Sequence, residues 1–93
     1  MTVGSCKIEL RIPDSGSLKE KRRVLRSLKD RVQARFNIGI AEVDRLDEWQ
    51  RATLGIAAVS TEYHHATEVI ASVVRFVEQE LRVELLDYSV EEH

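Results

Sequence analysis

The chain has 93 residues, 43% apolar and 32% charged, with a formal net charge of −2. Such a composition fits one globular domain, residues 1–93, whose modest core needs no disulfide or metal staple. It excludes collagen, coiled-coil rods and disordered tails, and no apolar run approaches the roughly 18–20 residues that span a bilayer.

Residues 2–12 alternate, with Cys6, Ile8, Leu10 and Ile12 on one face and Ser5, Lys7, Glu9 and Arg11 on the other. This period of two predicts a strand with one buried face. Pro13-Asp14-Ser15-Gly16 is a concentrated turn signal that ends it. Ser17-Leu18-Lys19-Glu20 then fits a capping box, Ser17 as N-cap and Glu20 reaching back from the third helical position. The helix that follows carries Leu18, Val24, Leu25, Leu28, Val32 and Phe36 on one stripe. Lys19, Arg22, Arg23, Arg26 and Lys29 cluster opposite. Lys21 lies on the apolar stripe's own line, so its stem is expected to cover the core's edge while its ammonium emerges.

Residues 37–43 read as a second strand, with Gly39 marking a bulge or a close backbone approach. Asp44 to Glu48 form a polar connector of hairpin length. Residues 49–60 read as a long third strand: Ala52, Leu54, Ile56 and Ala58 face one way, Arg51, Thr53, Gly55 and Ala57 the other. Ser60 or Thr61 can cap a second helix whose apolar positions are Ala66, Val69, Ile70, Val73, Val74 and Val77. Residues 82–90 form the last strand, followed by the acidic tail Glu91-Glu92-His93. The order β-α-β-β-α-β, with right-handed crossovers, predicts an α+β, ferredoxin-like domain: a four-stranded antiparallel sheet with both helices on one face and the other face open.

Ser17-Leu18-Lys19-Glu20-Lys21-Arg22-Arg23, Arg35-Phe36, Ala41-Glu42-Val43, the run from Trp49 to Gly55 and Arg75-Phe76 together resemble the uncharacterised YlxP-like bacterial proteins. The resemblance covers essentially the whole chain. It implies a single ferredoxin-like domain in the bacterial cytoplasm, often encoded near translation-initiation and ribosome-maturation factors. No established reaction accompanies it, so it supplies a translation context and no catalytic residues. Cytoplasmic localisation also agrees with the lone Cys6 and with an N-terminal segment lacking signal-peptide features; no membrane partner is expected.

Charge is unevenly spread. Residues 17–36 hold eight bases against two acids, and residues 62–93 hold two bases against eight acids. Such asymmetry suits an anionic partner for one face, or pairing between opposite poles of an oligomer. Lys19, Lys21, Arg22, Arg23, Arg26 and Lys29 are the candidate nucleic-acid-binding residues, set to meet phosphate oxygens. A solvated helix surface is the competing reading, and the pI near 5.9 favours it.

Other chemistries find less support. The Walker pattern of a nucleotide-binding loop is missing, and the closed capping box argues against an anion pocket. The third strand lacks the exposed aromatics of an RNA-recognition motif; Trp49, at its entrance, can stack a base but more often packs. His64 and His65 are adjacent, so on a helix they point about 100° apart and cannot chelate one ion as an i, i+4 pair would. Asp44, Asp47 and Glu48 lack the pattern of a calcium loop. No nucleophile elbow is present, and the turn before the first helix lacks the arginine of the topologically similar acylphosphatases. No enzyme activity, cofactor or metal is expected.

The leading expectation is a non-enzymatic binding module that contacts ribosomal RNA or ribosome-associated proteins through its first helix. The alternative is a homodimeric small-molecule-sensing or scaffolding domain that uses the open sheet face. A dimer is expected in either case, with Thr53, Gly55 and Ala57 allowing close approach.

Overall fold

The computed structural model describes all residues, 1–93, in the order β1 (Thr2–Arg11), α1 (Leu18–Arg35), β2 (Gly39–Asp44), β3 (Arg51–Ser60), α2 (Tyr63–Glu78) and β4 (Glu84–Glu92). The strands form one antiparallel sheet in the order β2-β3-β1-β4. β1 pairs with β3 along its whole length, so Cys6 lies opposite Ile56 and Ile8 opposite Leu54. That register brings the apolar halves of both strands to one face, where the helices cover them. The core of 17 buried residues is built there: Ile8, Leu10, Leu54 and Ile56 from the sheet, Leu25, Leu28 and Val32 from α1, Ile70, Val73 and Val77 from α2.

Gly4 lies where α2 packs on β1. A Cβ there would lie 2.9 Å from Ile70 Cδ1 and 3.5 Å from Ala66 Cβ, so a side chain at this position would push the Ile70 methyl end aside.

Several boundaries differ from those the sequence predicts, each for a local reason. β2 begins two residues later, because the Ile38 N–H turns back onto the Phe36 carbonyl at 3.1 Å. The bulge falls between Glu42 and Asp44, opposite Leu54 and Thr53, and Gly39 has open space around it. The connector then runs to Gln50, with Arg45 at φ 59° and its N–H held by Asp44 Oδ1 at 2.8 Å. α2 begins after Glu62, not at Ser60 or Thr61; the Ser60 hydroxyl instead accepts the Glu62 N–H at 3.2 Å. The acidic tail is strand, not a loose end. Glu91 and Glu92 lie opposite Ser5 and Gly4, and His93 exchanges backbone hydrogen bonds with Val3.

Candidate nucleic-acid interface

α1 starts where the sequence places it. The Ser17 hydroxyl accepts the Glu20 N–H at 3.1 Å, and the Glu20 carboxylate accepts the Gly16 N–H at 2.7 Å. The return contact thus falls one residue earlier than in the usual capping box. It keeps a carboxylate at the positive end of the helix. Ser15 is buried beside it, its hydroxyl donating to the Ser17 carbonyl. The Gln50 amide ties the same turn to the start of β3 by donating to the carbonyls of Pro13 and Ser15.

From this anchored start the helix sorts its bases into two groups. Lys19, Arg22, Arg23 and Arg26 are exposed and Lys29 is partly exposed. At about 100° per residue they share one outward sector, with Asp30 the one acid among them. None of the five makes a side-chain hydrogen bond or ion pair, whereas Glu20, Lys21 and Arg31 of the same helix do.

Lys21 is the correction. It is fully buried, and its ammonium does not emerge. Nζ donates to Glu42 Oε2 at 2.8 Å and to the carbonyls of Arg45, Leu46 and Arg51 at 3.0, 3.3 and 3.2 Å. A buried ammonium is tolerated only with such complete partnering. The lysine fastens the first turns of α1 to the β2–β3 connector and is unavailable to a phosphate. The reason lies beyond helical periodicity: the acceptors come from residues 21–30 positions downstream.

The remaining bases of the segment are also engaged. Arg31 pairs with Glu80 just beyond α2, and Arg82 reaches both Glu80 and the Ser27 hydroxyl. Burial pushes the Glu80 carboxyl up, but hydrogen bonds from Arg82 and Arg31 outweigh it and hold the group at about 2. Arg35 lies over the rings of Phe36 and Phe76, each centroid 5.7 Å away. Those rings meet edge to face, so Arg35 helps seal the α1–α2 seam.

Trp49 is 56% exposed, contrary to a packing role, and sits in the connector that Lys21 and Gln50 hold against the start of α1. Trp49 therefore leaves an exposed aromatic ring on the connector that is tied to the start of α1. The signal in the sequence was the cluster Leu46, Asp47, Glu48 and Trp49, too polar around the tryptophan to bury it.

The open sheet face is less open than its alternation suggests. Thr53 is 1% exposed, its hydroxyl donating to Glu9, which also meets Arg45 at 3.5 Å. A Cβ at Gly55 would lie 2.9 Å from Val43 Cγ1, so the glycine makes room for a side chain of β2 within the same chain. Ala57 does face outward, in a shallow trough of about 570 Å³ that Gly39 and Ala41 also line. Cys6 is buried beneath this sheet, and burial pushes its thiol up against a smaller opposing effect of a Ser89 backbone hydrogen bond. No helix is long and apolar enough to cross a membrane.

The family model "Protein of unknown function (DUF503)" matches residues 3–90. The chain belongs to this family. It is 42% identical over 76 residues to the uncharacterised protein YlxP of Bacillus subtilis (strain 168), a stretch covering 82% of this chain and 83% of that one. Among solved structures, a C-terminal segment of the alpha subunit of aIF2 from Pyrococcus abyssi superposes with a TM-score of 0.55 at 16% identity. That match covers 99% of this chain and 51% of the solved one, so the DUF503 chain spans about half of that segment. A de novo designed protein with ferredoxin fold, LFR1 1, superposes with a TM-score of 0.53 at 19% identity over 100% of this chain and 84% of its own. At these identities the likeness is one of fold. The fold is ferredoxin-like.

Proposed function

We propose that this DUF503 protein is a non-enzymatic module that binds RNA through the outer face of α1, with ribosomal RNA the ligand expected from the translation context. The observation that carries the reading is the division of bases along α1. Lys21, Arg31 and Arg35 are used inside the molecule, whereas Lys19, Arg22, Arg23, Arg26 and Lys29 share one outward sector with no carboxylate partner. Unpaired cations in a row release counterions when they meet a phosphate backbone, a gain independent of sequence. Trp49 adds a surface on which an unpaired base stacks. The test is filter binding to single-stranded RNA at rising salt, comparing the wild type with a variant carrying Arg22→Glu, Arg23→Glu and Arg26→Glu. Steep salt-dependent binding lost in the variant supports the reading; binding indifferent to the three reversals removes it.

A second reading rests on the trough over β2 and β3. Its small floor suits a second copy or a small ligand, although Gly55 and Thr53 are already covered within the chain. Ala57→Arg fills the trough at an outward position and separates such a dimer in light scattering. A wild-type monomer at high micromolar concentration rules the dimer out.

A further inference from the structure

The sheet has two edges, and they differ. β2 is short and bulged, with Glu42 drawn inward to Lys21. β4 is a nine-residue edge strand, and beside it runs a groove of about 350 Å³ between the strand and α2. Val90 and Tyr88 lie opposite Cys6 and Ile8, so their side chains turn to the helix-covered face. There they form one wall of the groove, Ile70, Ala71 and Val74 of α2 forming the other. Tyr88 and Val90 remain 49% and 44% exposed, an apolar wall without a cover.

The backbone of β4 is equally unfinished. Val3 and His93 exchange both of their backbone hydrogen bonds, at 2.7 and 3.2 Å. Antiparallel alternation from that pair turns the N–H and C=O groups of Glu92, Val90 and Tyr88 away from β1. The outward Tyr88 N–H is met only by the Asp87 carboxylate, at 2.8 Å. A strand whose backbone groups face out beside a largely apolar groove, which Thr67, Arg75 and Glu78 also line, is the arrangement that accepts an added peptide strand.

Charge selects the occupant. β4 carries Glu84, Asp87, Glu91 and Glu92 and no base. A second copy of β4 laid alongside would set carboxylates against carboxylates, which opposes self-pairing. Asp87 and Glu91 lie opposite Glu9 and Ser5, so they flank the open face of the sheet, while Tyr88 and Val90 flank the groove.

We propose that the β4 edge and the β4–α2 groove bind an extended peptide of alternating apolar and basic residues, which adds a fifth strand to the sheet. Apolar side chains of the peptide enter the groove beside Tyr88 and Val90. The intervening lysines or arginines meet Asp87 and Glu91 on the opposite face. The guest N–H and C=O groups pair with those of Tyr88, Val90 and Glu92, displacing the Asp87 carboxylate from the Tyr88 N–H.

The probe is the capped hexapeptide Val-Lys-Val-Arg-Val-Lys, labelled for fluorescence anisotropy, with amide hydrogen exchange of the full chain as second readout. Expected are saturable binding, new protection at the Tyr88, Val90 and Glu92 amides, and roughly tenfold or greater weakening with Ala71→Arg, which places a long cation in the groove from an exposed helix position. Glu91→Lys should weaken binding too. A peptide of the same composition with its lysines and arginine together should bind at least about tenfold less tightly, because only alternation matches the two faces. The Arg22→Glu, Arg23→Glu, Arg26→Glu variant should bind the hexapeptide undiminished, which separates this site from the α1 face. Absence of binding at millimolar peptide, equal binding of the rearranged peptide, protection that falls on β2, or indifference to Ala71→Arg would each overturn the proposal.

Discussion

Lys21 and Arg22 are neighbours in the chain and opposites in the structure. The Lys21 side chain is fully buried with four oxygen partners, and the Arg22 guanidinium is exposed with none. The same division runs along all of α1: bases on the inner face and at its seams are consumed by the fold, and bases on the outer face are left over. A cluster of positive charge in a sequence thus mixes two kinds of residue, and only the partners of each side chain separate them. The inner kind should govern stability and the outer kind binding.

Substitution of Lys21 strains this distinction most. Lys21→Met leaves the Glu42 carboxylate and three carbonyls without their cation, and should cost about 3–5 kcal/mol in chemical denaturation. Adding Glu42→Gln should restore part of that loss, because the stranded charge is gone. An unfolding free energy within about 0.5 kcal/mol of wild type for Lys21→Met would mean that the clasp does not hold the connector.

The outer face should answer in the reverse way. Arg22→Glu, Arg23→Glu and Arg26→Glu together should lower RNA affinity about a hundredfold at low salt, while melting changes little, since exposed unpaired side chains carry small stability effects. Trp49→Ala should weaken single-stranded RNA by about 1–2 kcal/mol, and quenching of this single tryptophan by RNA should report the same contact.

The smallest effect concerns the seam between the two groups. Glu80 is held at about 2, well below the ordinary carboxylate value of 4.5, so its contribution is complete above the unfolded-state range and is lost as pH falls toward 2. Glu80→Gln should therefore cost about 1 kcal/mol at pH 7, after allowance for the solvent-exposed ends of Arg31 and Arg82, and next to nothing near pH 2. A constant difference across that window would assign the effect to packing rather than to ionisation.

Much of this architecture was legible in the residues. Alternation in β1 and β3, the Ser17 cap and the spacing in both helices sufficed for the topology, because each is a local pattern with one physical meaning. Five of the six candidate binding residues also lie on the outward face where the helical wheel puts them. Lys21 escaped for a physical reason: a wheel shows which way a side chain points, but the carbonyls of Arg45, Leu46 and Arg51 converge on it only after the β2–β3 connector folds. Thr53 and Gly55 were misread for a related reason. Their alternation gives the open face correctly, yet Glu9 and Val43, from the strands on either side, cover that part of it. The pairing of Glu91, Glu92 and His93 with β1 was equally hidden, since an acidic tail carries little strand propensity and owes its place to register.

The most direct test of the division along α1 is the salt dependence of single-stranded RNA binding. Five outward bases meeting five phosphates give a slope of log affinity against log salt of about −3.5, and the triple reversal at Arg22, Arg23 and Arg26 leaves no more than about −1.4. A wild-type slope near zero, or the same slope in both proteins, would contradict the account.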